Sequence, residues 1–303
     1  MTLAPIVLFA FNRPDHLLLT LEALQSNKLA DESKLYIYCD GPKPHFTNTD
    51  IDKINQVRDV AKKEKWCKEI VVIERDRNYG LAESVVAGVT EVVQKYGQVI
   101  VLEDDIVTSP GFLTYMNDAL RIYSKEERVM HVAGYFYPIS VTPEHHSFFL
   151  PLGTCWGWAT WADAWNKYNH SAKELLSTIT ALPQSKQKQF DNQNNSIRLL
   201  KRASTGQSDS WAIRWYASIF LADGLGLHPY KSLIRNIGFD GSGTNYFSLN
   251  KIQSQTIAKL DIDYTPINKA TKIEKALKSY FFWERVKSAP FYYINMLKSL
   301  ISH

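Results

Sequence analysis

Val99-Ile100-Val101-Leu102-Glu103-Asp104-Asp105 decides how the chain is read. A short continuous apolar run is the pattern of a strand buried on both faces of a parallel sheet, and open α/β sheets bind ligands just beyond the carboxyl ends of such strands. Three consecutive carboxylates at that edge need a partner. A hard divalent cation carried with a diphosphate suits them, because Mg²⁺ and Mn²⁺ prefer oxygen donors and are commonly held by one or two carboxylates plus phosphate oxygens. The alternative is a solvated acidic turn, and the buried-type strand ahead of the triplet argues against it.

Working outward, strand and helix signals alternate through the first half. Pro5 to Phe11 is strand-like, and Asp15 to Ser26 carries Leu17, Leu21 and Leu24 at helix spacing with Pro14 just ahead of it. Leu35 to Cys39 reads as a second strand ending at Asp40-Gly41, and Asp50 to Glu64 as a helix with Ile51, Ile54, Val57 and Ala61 on one face. Ile70 to Ile73 is a third strand. A helix over Leu81 to Tyr96 begins near Asn78-Tyr79-Gly80 and leads into the acidic strand. This alternation implies parallel strands with crossover helices, the layout of a nucleotide-binding half-domain. After Pro110 the pattern predicts a helix over Phe112 to Tyr123 and a strand over Val129 to Ala133.

The second half changes character. Trp156, Trp158, Trp161 and Trp165 crowd one stretch, and Gln184 to Gln207, rich in Gln, Asn, Ser and Lys, reads as a polar, mobile insertion. A strong amphipathic helix follows over Ser210 to Ala222, then Leu225 to Pro229, then the glycine-rich run Gly238-Phe239-Asp240-Gly241-Ser242-Gly243-Thr244. From Lys269 to His303, Lys and Arg interleave with Tyr280, Phe281, Phe282, Trp283, Phe291, Tyr292 and Tyr293. Such a tail suits an anionic membrane surface, and equally a C-terminal helix whose aromatics are buried against the domain.

The bulk numbers bound the answer. With 35 Lys and Arg against 31 Asp and Glu, the net charge of +4 is far from the footprint of a nucleic-acid binder. Cys39, Cys67 and Cys155 are scattered, odd in number and without metal-ligand spacing, so neither a disulfide framework nor a zinc site is expected and a reducing cytosol fits best. Leu3 to Phe11 lacks a basic leader and a cleavage site, so it reads as a strand and not as a secretory leader. No apolar segment approaches the roughly 20 residues that span a bilayer. The expected location is cytoplasmic, with peripheral contact at the inner face of the cell membrane left open.

Taken in order, Leu8-Phe9-Ala10-Phe11-Asn12-Arg13, Tyr38-Cys39-Asp40-Gly41, Val99 to Pro110, Gly153 to Trp165, Ser208 to Trp215 and His228 to Phe247 resemble the GT-A nucleotide-sugar glycosyltransferases. The resemblance is closest to the N-acetylglucosaminyltransferase I-like and family 2-like group, and it covers roughly residues 5 to 250. It implies a GT-A α/β fold with a mostly parallel central sheet flanked by helices. The domain would span 1–265, with a nucleotide-binding half at 1–125 and an acceptor half at 126–265, followed by a helical appendage at 266–303.

The same resemblance assigns roles. The triplet looks like the group's version of the DXD motif, with Asp105 the direct ligand of Mn²⁺ or Mg²⁺ and with Glu103 and Asp104 contacting sugar or ribose hydroxyls or supporting the ligand. Arg13, after Phe11 and Asn12, would meet phosphate through its planar donors, and Asp40 beside Gly41 would accept a uracil N–H. An ordinary loop salt bridge is the alternative for both. Asn78, Gly80, Leu81 and Ser84 are similar to a sugar-nucleotide contact loop, although a plain turn and helix cap would look the same. Ser242 and Thr244, in the glycine-rich run, would belong to a lid that orders over the diphosphate.

Asp209 is the candidate catalytic base, with helix capping as its alternative reading. Trp156, Gly157 and Trp158 are candidate acceptor-site residues, although Trp158, Trp161 and Trp165 also have the spacing of a helix face buried in the core, and Trp161 and Trp165 are assigned to the core. His131 and His228 are read as packed, hydrogen-bonded residues.

The implied activity is metal-dependent transfer of N-acetylglucosamine from UDP, with inversion, to a hydroxyl of a bacterial surface-glycan or lipid-linked acceptor. A retaining transferase with another UDP-sugar, or a noncatalytic nucleotide-sugar or glycan-binding module, are the alternatives. A nucleotidyltransferase is disfavoured, because the segment after the first strand has no glycine.

Overall fold

The structure is a computed structural model that describes residues 2–139, 141, 145–191, 195–241, 257–258, 260, 262, 265–284 and 286. Its strands are β1 (Ile6–Ala10), β2 (Lys34–Cys39), β3 (Glu69–Glu74), β4 (Gln98–Glu103), β5 (Ile106–Thr108), β6 (Val129–Ala133), β7 (Ser147–Leu150), β8 (Trp158–Trp161), β9 (Leu225–Pro229) and β10 (Ile234–Asn236). Its helices are α1 (Pro14–Gln25), α2 (Asn48–Lys62), α3 (Leu81–Tyr96), α4 (Phe112–Ile122), α5 (Ala162–Trp165), α6 (Ala172–Ala181), α7 (Gln184–Asp191), α8 (Ser196–Ser204) and α9 (Trp211–Leu221). Residues 271–284 are also helical.

Eight strands form one sheet in the order β3-β2-β1-β4-β8-β6-β9-β7. β1 pairs in parallel with β2 and β4, β2 with β3, and β6 with β9, while β8 and β7 run against their neighbours. This is the mostly parallel α/β sheet expected from the alternating pattern. β5 and β10 pair separately as a two-stranded antiparallel ribbon.

Period-two alternation in the strands divides the core. Ile6, Leu8, Leu35, Ile37, Ile100 and Leu102 face α1, α2 and α4, meeting Leu17, Leu21, Val57, Met116 and Leu120. Val7, Phe9, Tyr36, Tyr38, Val99 and Val101 face the other way, onto Val85, Val89 and Val92 of α3 and Trp211, Trp215 and Ile219 of α9. A third cluster gathers Phe148 and Leu150 of β7 with α6, α7, α8, the far face of α9 and the helix at 271–284.

Two expectations change here. The polar stretch at 184–207 forms α7 and α8, anchored by the buried side chains of Phe190, Leu200 and Ala203. Apolar residues are sparse in it, but Phe190, Ile197, Leu200 and Ala203 point into the third cluster, while Leu199 stays exposed. The tryptophan-rich stretch is not one helix either. Residues 158–161 are a strand, so Trp158 and Trp161 lie on opposite faces of the sheet and a short helix begins only at Ala162.

Candidate active site

The chain runs from β1 to β2 to β3 in one direction across the sheet, then returns to place β4 on the other side of β1. The strand order therefore reverses between β1 and β4, and a crevice opens beyond the carboxyl ends of strands at such a reversal. Arg13 follows β1 and the acidic triplet closes β4, so sequence-distant groups meet at this point. Pro14 starts α1 at its first helical position, where a missing N–H costs nothing, and this fixes Arg13 at the helix entrance.

The Arg13 guanidinium ion-pairs with both Asp104 and Asp105, at 2.9 Å to Asp105 Oδ2. Burial opposes the charge on Arg13, but the two carboxylates more than offset it and raise its pKa. Asp104 is buried, and Thr20 Oγ1 of α1 donates to its backbone oxygen at 2.8 Å. Glu103 lies on the face toward α3 and α9, where burial and then Asp105 and Asp104 push its carboxyl well above the usual range. Among the described residues, Arg13 is the cation paired with the triplet, and it bonds Asp104 and Asp105 but not Glu103, so the edge holds more carboxyl groups than positive charges.

Among the described residues, no three His, Cys, Asp or Glu side chains converge as cation ligands. Asp105 accepts from Arg13 through Oδ2, and no hydrogen bond from a described residue reaches Oδ1. That donor set fits an ion whose remaining ligands arrive on a diphosphate, and does not fit an all-protein cage.

Asp40, at the end of β2, is 6% exposed and is the organising residue of the neighbouring loop. Its oxygens accept from the backbone N–H groups of Gly41 (3.1 Å), Tyr79 (2.9 Å) and Gly80 (3.1 Å) and from Asn78 Nδ2 (2.9 Å). A carboxylate offers about four acceptor sites, so Asp40 is close to saturated. The structure therefore gives it a positioning job, holding residues 78–80 at the N-terminus of α3; a uracil N–H would have to displace one of these bonds. Gly80 sits at φ +79°, in the region glycine favours, with open space beside it. Ser84 is buried and accepts from Arg75 rather than facing a ligand. Leu81 is exposed, and Phe11 is half-buried with its ring 5.7 Å from Phe46. Asn12, half-buried, lies between Phe11 and Arg13 on the same turn.

Sequence reasoning passed over Arg75 and Tyr79. The buried Arg75 guanidinium lies 4.3 Å from the centre of the Tyr79 ring and 3.9 Å from Asp40 Oδ1. The signal was present as Arg75-Asp76-Arg77 directly after the third strand, at the same sheet edge as the acidic triplet.

Residues 237–241 cover the acidic edge. Ile237 N donates to the Asp105 backbone oxygen at 2.9 Å, and a Cβ on Gly238 would fall 2.2 Å from Asp105 Oδ2 and 3.1 Å from Arg13. Only glycine lets the chain pass this closely. Asp240 pairs with His16 of α1 at 3.2 Å, and Phe239 lies edge-on to Trp156 at 5.5 Å. Ser242 and Thr244 lie outside the described residues.

Asp209 stands on the α3/α9 side. Its side chain is 70% exposed and pairs with Arg214 at 3.0 Å, while the cap of α9 is Ser210, whose hydroxyl accepts from Ile213 N. The capping alternative for Asp209 is thereby removed. Asp209, Arg214 and His170 line an open groove of about 700 Å³ against Glu83, Val86, Thr90 and Glu91 of α3.

The tryptophan assignments separate. Trp158 is fully buried, with ring centres of Trp211, Trp165 and Trp215 within 5.4 to 6.2 Å, so it offers no face to an acceptor. Gly157 is buried too, its backbone packed on Ile234 and Phe112. Both candidates are corrected to core: Trp158 lies on β8 in the middle of the sheet, where it meets a covered face, and Gly157 directly precedes that strand with Ile234 and Phe112 against it. Trp156 alone of the three stays half-buried at the site, against Tyr135 and Phe239. Trp161 is half-buried with its indole N–H donating to Leu120 O, and Trp165 is core. His131 and His228 are buried and bond to the backbone oxygens of Thr154 and Leu152, as packed histidines do.

The molecule is thus an α/β protein with a mostly parallel central sheet, its candidate ligand edge lying where strand order reverses. No protein-family model matches the chain, and no curated protein matches it. Among solved structures, the galactosyltransferase LgtC in complex with donor and acceptor sugar analogues is similar at a TM-score of 0.35, with 8% identity over 74% of this chain and 86% of that one. Mouse xyloside xylosyltransferase 1 in its apo form is similar at 0.35, with 9% identity over 73% and 82%. UDP-glucose pyrophosphorylase with UDP-glucose is similar at 0.30, with 10% identity over 73% and 98%. A further LgtC structure, of an active-site mutant, matches over 59% of this chain and 66% of that one at 0.33 and 10% identity.

Proposed function

We propose that the chain is a glycosyltransferase that holds a UDP-sugar at the β1/β4 reversal and moves the sugar, N-acetylglucosamine, with inversion onto a hydroxyl of a bacterial surface-glycan acceptor. The observation that carries this reading is the meeting of Arg13 with Asp104 and Asp105 at the point where strand order reverses. A positive fork beside surplus carboxylates suits a diphosphate accompanied by a divalent cation.

Arg13 supplies planar donors for phosphate oxygens, and Asp105 is the residue that would hold Mn²⁺ or Mg²⁺. When bound, that cation would neutralise charge on the departing diphosphate. Asp40 keeps residues 78–80 in place at the entrance of α3, and the 237–241 segment excludes water from above. Asp209 takes the acceptor hydroxyl proton as the oxygen attacks the anomeric carbon and the bond to UDP breaks, its electron pair leaving with UDP. Arg214 orients that carboxylate.

A panel of UDP-sugars with and without Mn²⁺, read by thermal shift, tests the donor site. UDP-N-acetylglucosamine with Mn²⁺ is expected to raise Tm most, since a ligand that binds only the folded state stabilises it by mass action. Asp209→Asn is expected to lower transfer at least about 100-fold, in the range of a lost general base, while leaving the donor-induced shift intact. Full activity after exhaustive chelation would remove the cation from this account. An absent shift with every nucleotide would remove the donor site.

A further inference from the structure

We propose that the outward face of the helix at 271–284, with Val286 beyond it, is a docking surface for an anionic lipid bilayer. The inward face is set by Ile273, Leu277 and Phe281, all at most 6% exposed and packed into the third core cluster. The Phe281 ring lies 4.8 Å from Tyr137, which fixes the rotation of the helix on the domain.

What remains outside is organised. Lys272, Lys275, Ser279, Phe282, Trp283 and Val286 are exposed and recur at helix spacing, so they form one stripe opposite the buried one. Phe282 at 53% and Trp283 at 56% are the most exposed large apolar side chains among the described residues, and Val286 beside them is 45% exposed. A packed soluble surface has no need for two touching aromatics in water, whereas Trp and Phe at one end of a stripe with lysines at the other match the acyl boundary and headgroup layers of a membrane. The lysines choose the occupant, since basic groups near the surface are drawn to anionic headgroups. No described helix is long and apolar enough to cross a bilayer, so the contact is one of surface and not of span. The bound state is expected to be reversible and salt-sensitive, as for a single amphipathic segment.

Co-sedimentation of the full chain tests this with two vesicle types: phosphatidylcholine mixed with phosphatidylglycerol, and phosphatidylcholine alone. Binding to the anionic vesicles at low salt is expected to exceed binding to the neutral ones about 25-fold, the product of two lysines at roughly fivefold each. Phe282→Ser with Trp283→Ser should abolish binding with an unchanged circular dichroism spectrum, because both side chains lie outside the core. Lys272→Glu with Lys275→Glu should abolish the preference for phosphatidylglycerol. Equal binding to both vesicle types, no binding to either, or a dimer in solution that the Phe282→Ser/Trp283→Ser variant dissolves would each overturn the proposal. Donor binding and sugar transfer in solution are unaffected by any of these outcomes, so the two readings stand or fall apart.

Discussion

At the residue scale, the candidate site is an electrostatic compromise around Arg13. The triplet after the apolar run is visible in the sequence because its charge has no business at the end of a buried strand unless something balances it. What could not be seen is that the first balance comes from the protein itself, 91 and 92 residues away in the chain. Asp104 is 5% exposed at its side chain and Arg13 is 18%, so removing one partner strands the other in a poor solvent. Arg13→Gln should cost about 3 kcal/mol of folding free energy, the low end for breaking a buried pair. Adding Asp104→Asn to that variant should recover about 1 kcal/mol or more, because the second change removes the stranded charge. Urea unfolding of the four proteins in the cycle measures both; strictly additive effects would show that the pair is not coupled.

At the element scale, each strand and helix expected in the first half lies within two residues of its expected bounds, because burial on both faces gives β1, β2 and β4 continuous apolar runs and amphipathic spacing marks α1, α2 and α3. The elements that stayed hidden did so for two reasons. Trp158, Trp161 and Trp165 have helical spacing, yet a strand-to-helix junction between Trp161 and Ala162 produces the same spacing while sending the first two to opposite faces. β5 and β10 are three residues each and pair across more than 120 positions, so neither carries a pattern of its own.

Asp40 is where element and site meet. Its type and place at the end of β2 were legible; its saturation by the 78–80 loop was not, because that depends on the loop curling back. Asp40→Ala should leave the part-buried Tyr79 and Gly80 amides without their acceptor and cost about 1 kcal/mol, the low end of the penalty for orphaned donors. Hydrogen exchange should then speed up at Tyr79 and Gly80 while the amides of β2 keep their protection. Uniform acceleration through β2 would instead mean that Asp40 supports the sheet as a whole.

At the scale of the whole molecule, the same close packing that makes one sheet from eight strands also buries two imidazoles, and this sets its response to acid. Burial lowers His228 from the ordinary 6.5 to about 4 and, joined by repulsion from His228, lowers His131 to about 3. Trp215 donates to His131 Nδ1 at 3.2 Å, which only a neutral ring accepts. Because the folded values are depressed, the unfolded chain binds more protons below pH 6.5, so this stabilising contribution is complete above 6.5 and is lost as pH falls toward 4. Glu103 works in the opposite sense: its raised carboxyl favours the folded state at low pH and loses that contribution as pH rises. The raw stability profile is therefore a sum of opposing slopes, and the histidine part must be isolated by difference. The stability gap between the parent protein and His228→Gln should narrow by about 1.4 kcal/mol per pH unit between pH 6.5 and 4, the slope for one proton taken up on unfolding. Urea unfolding of both proteins across that range gives the gap directly. A gap independent of pH would mean that His228 titrates alike in the folded and unfolded chains, and that the centre of the sheet is wetter than its packing shows.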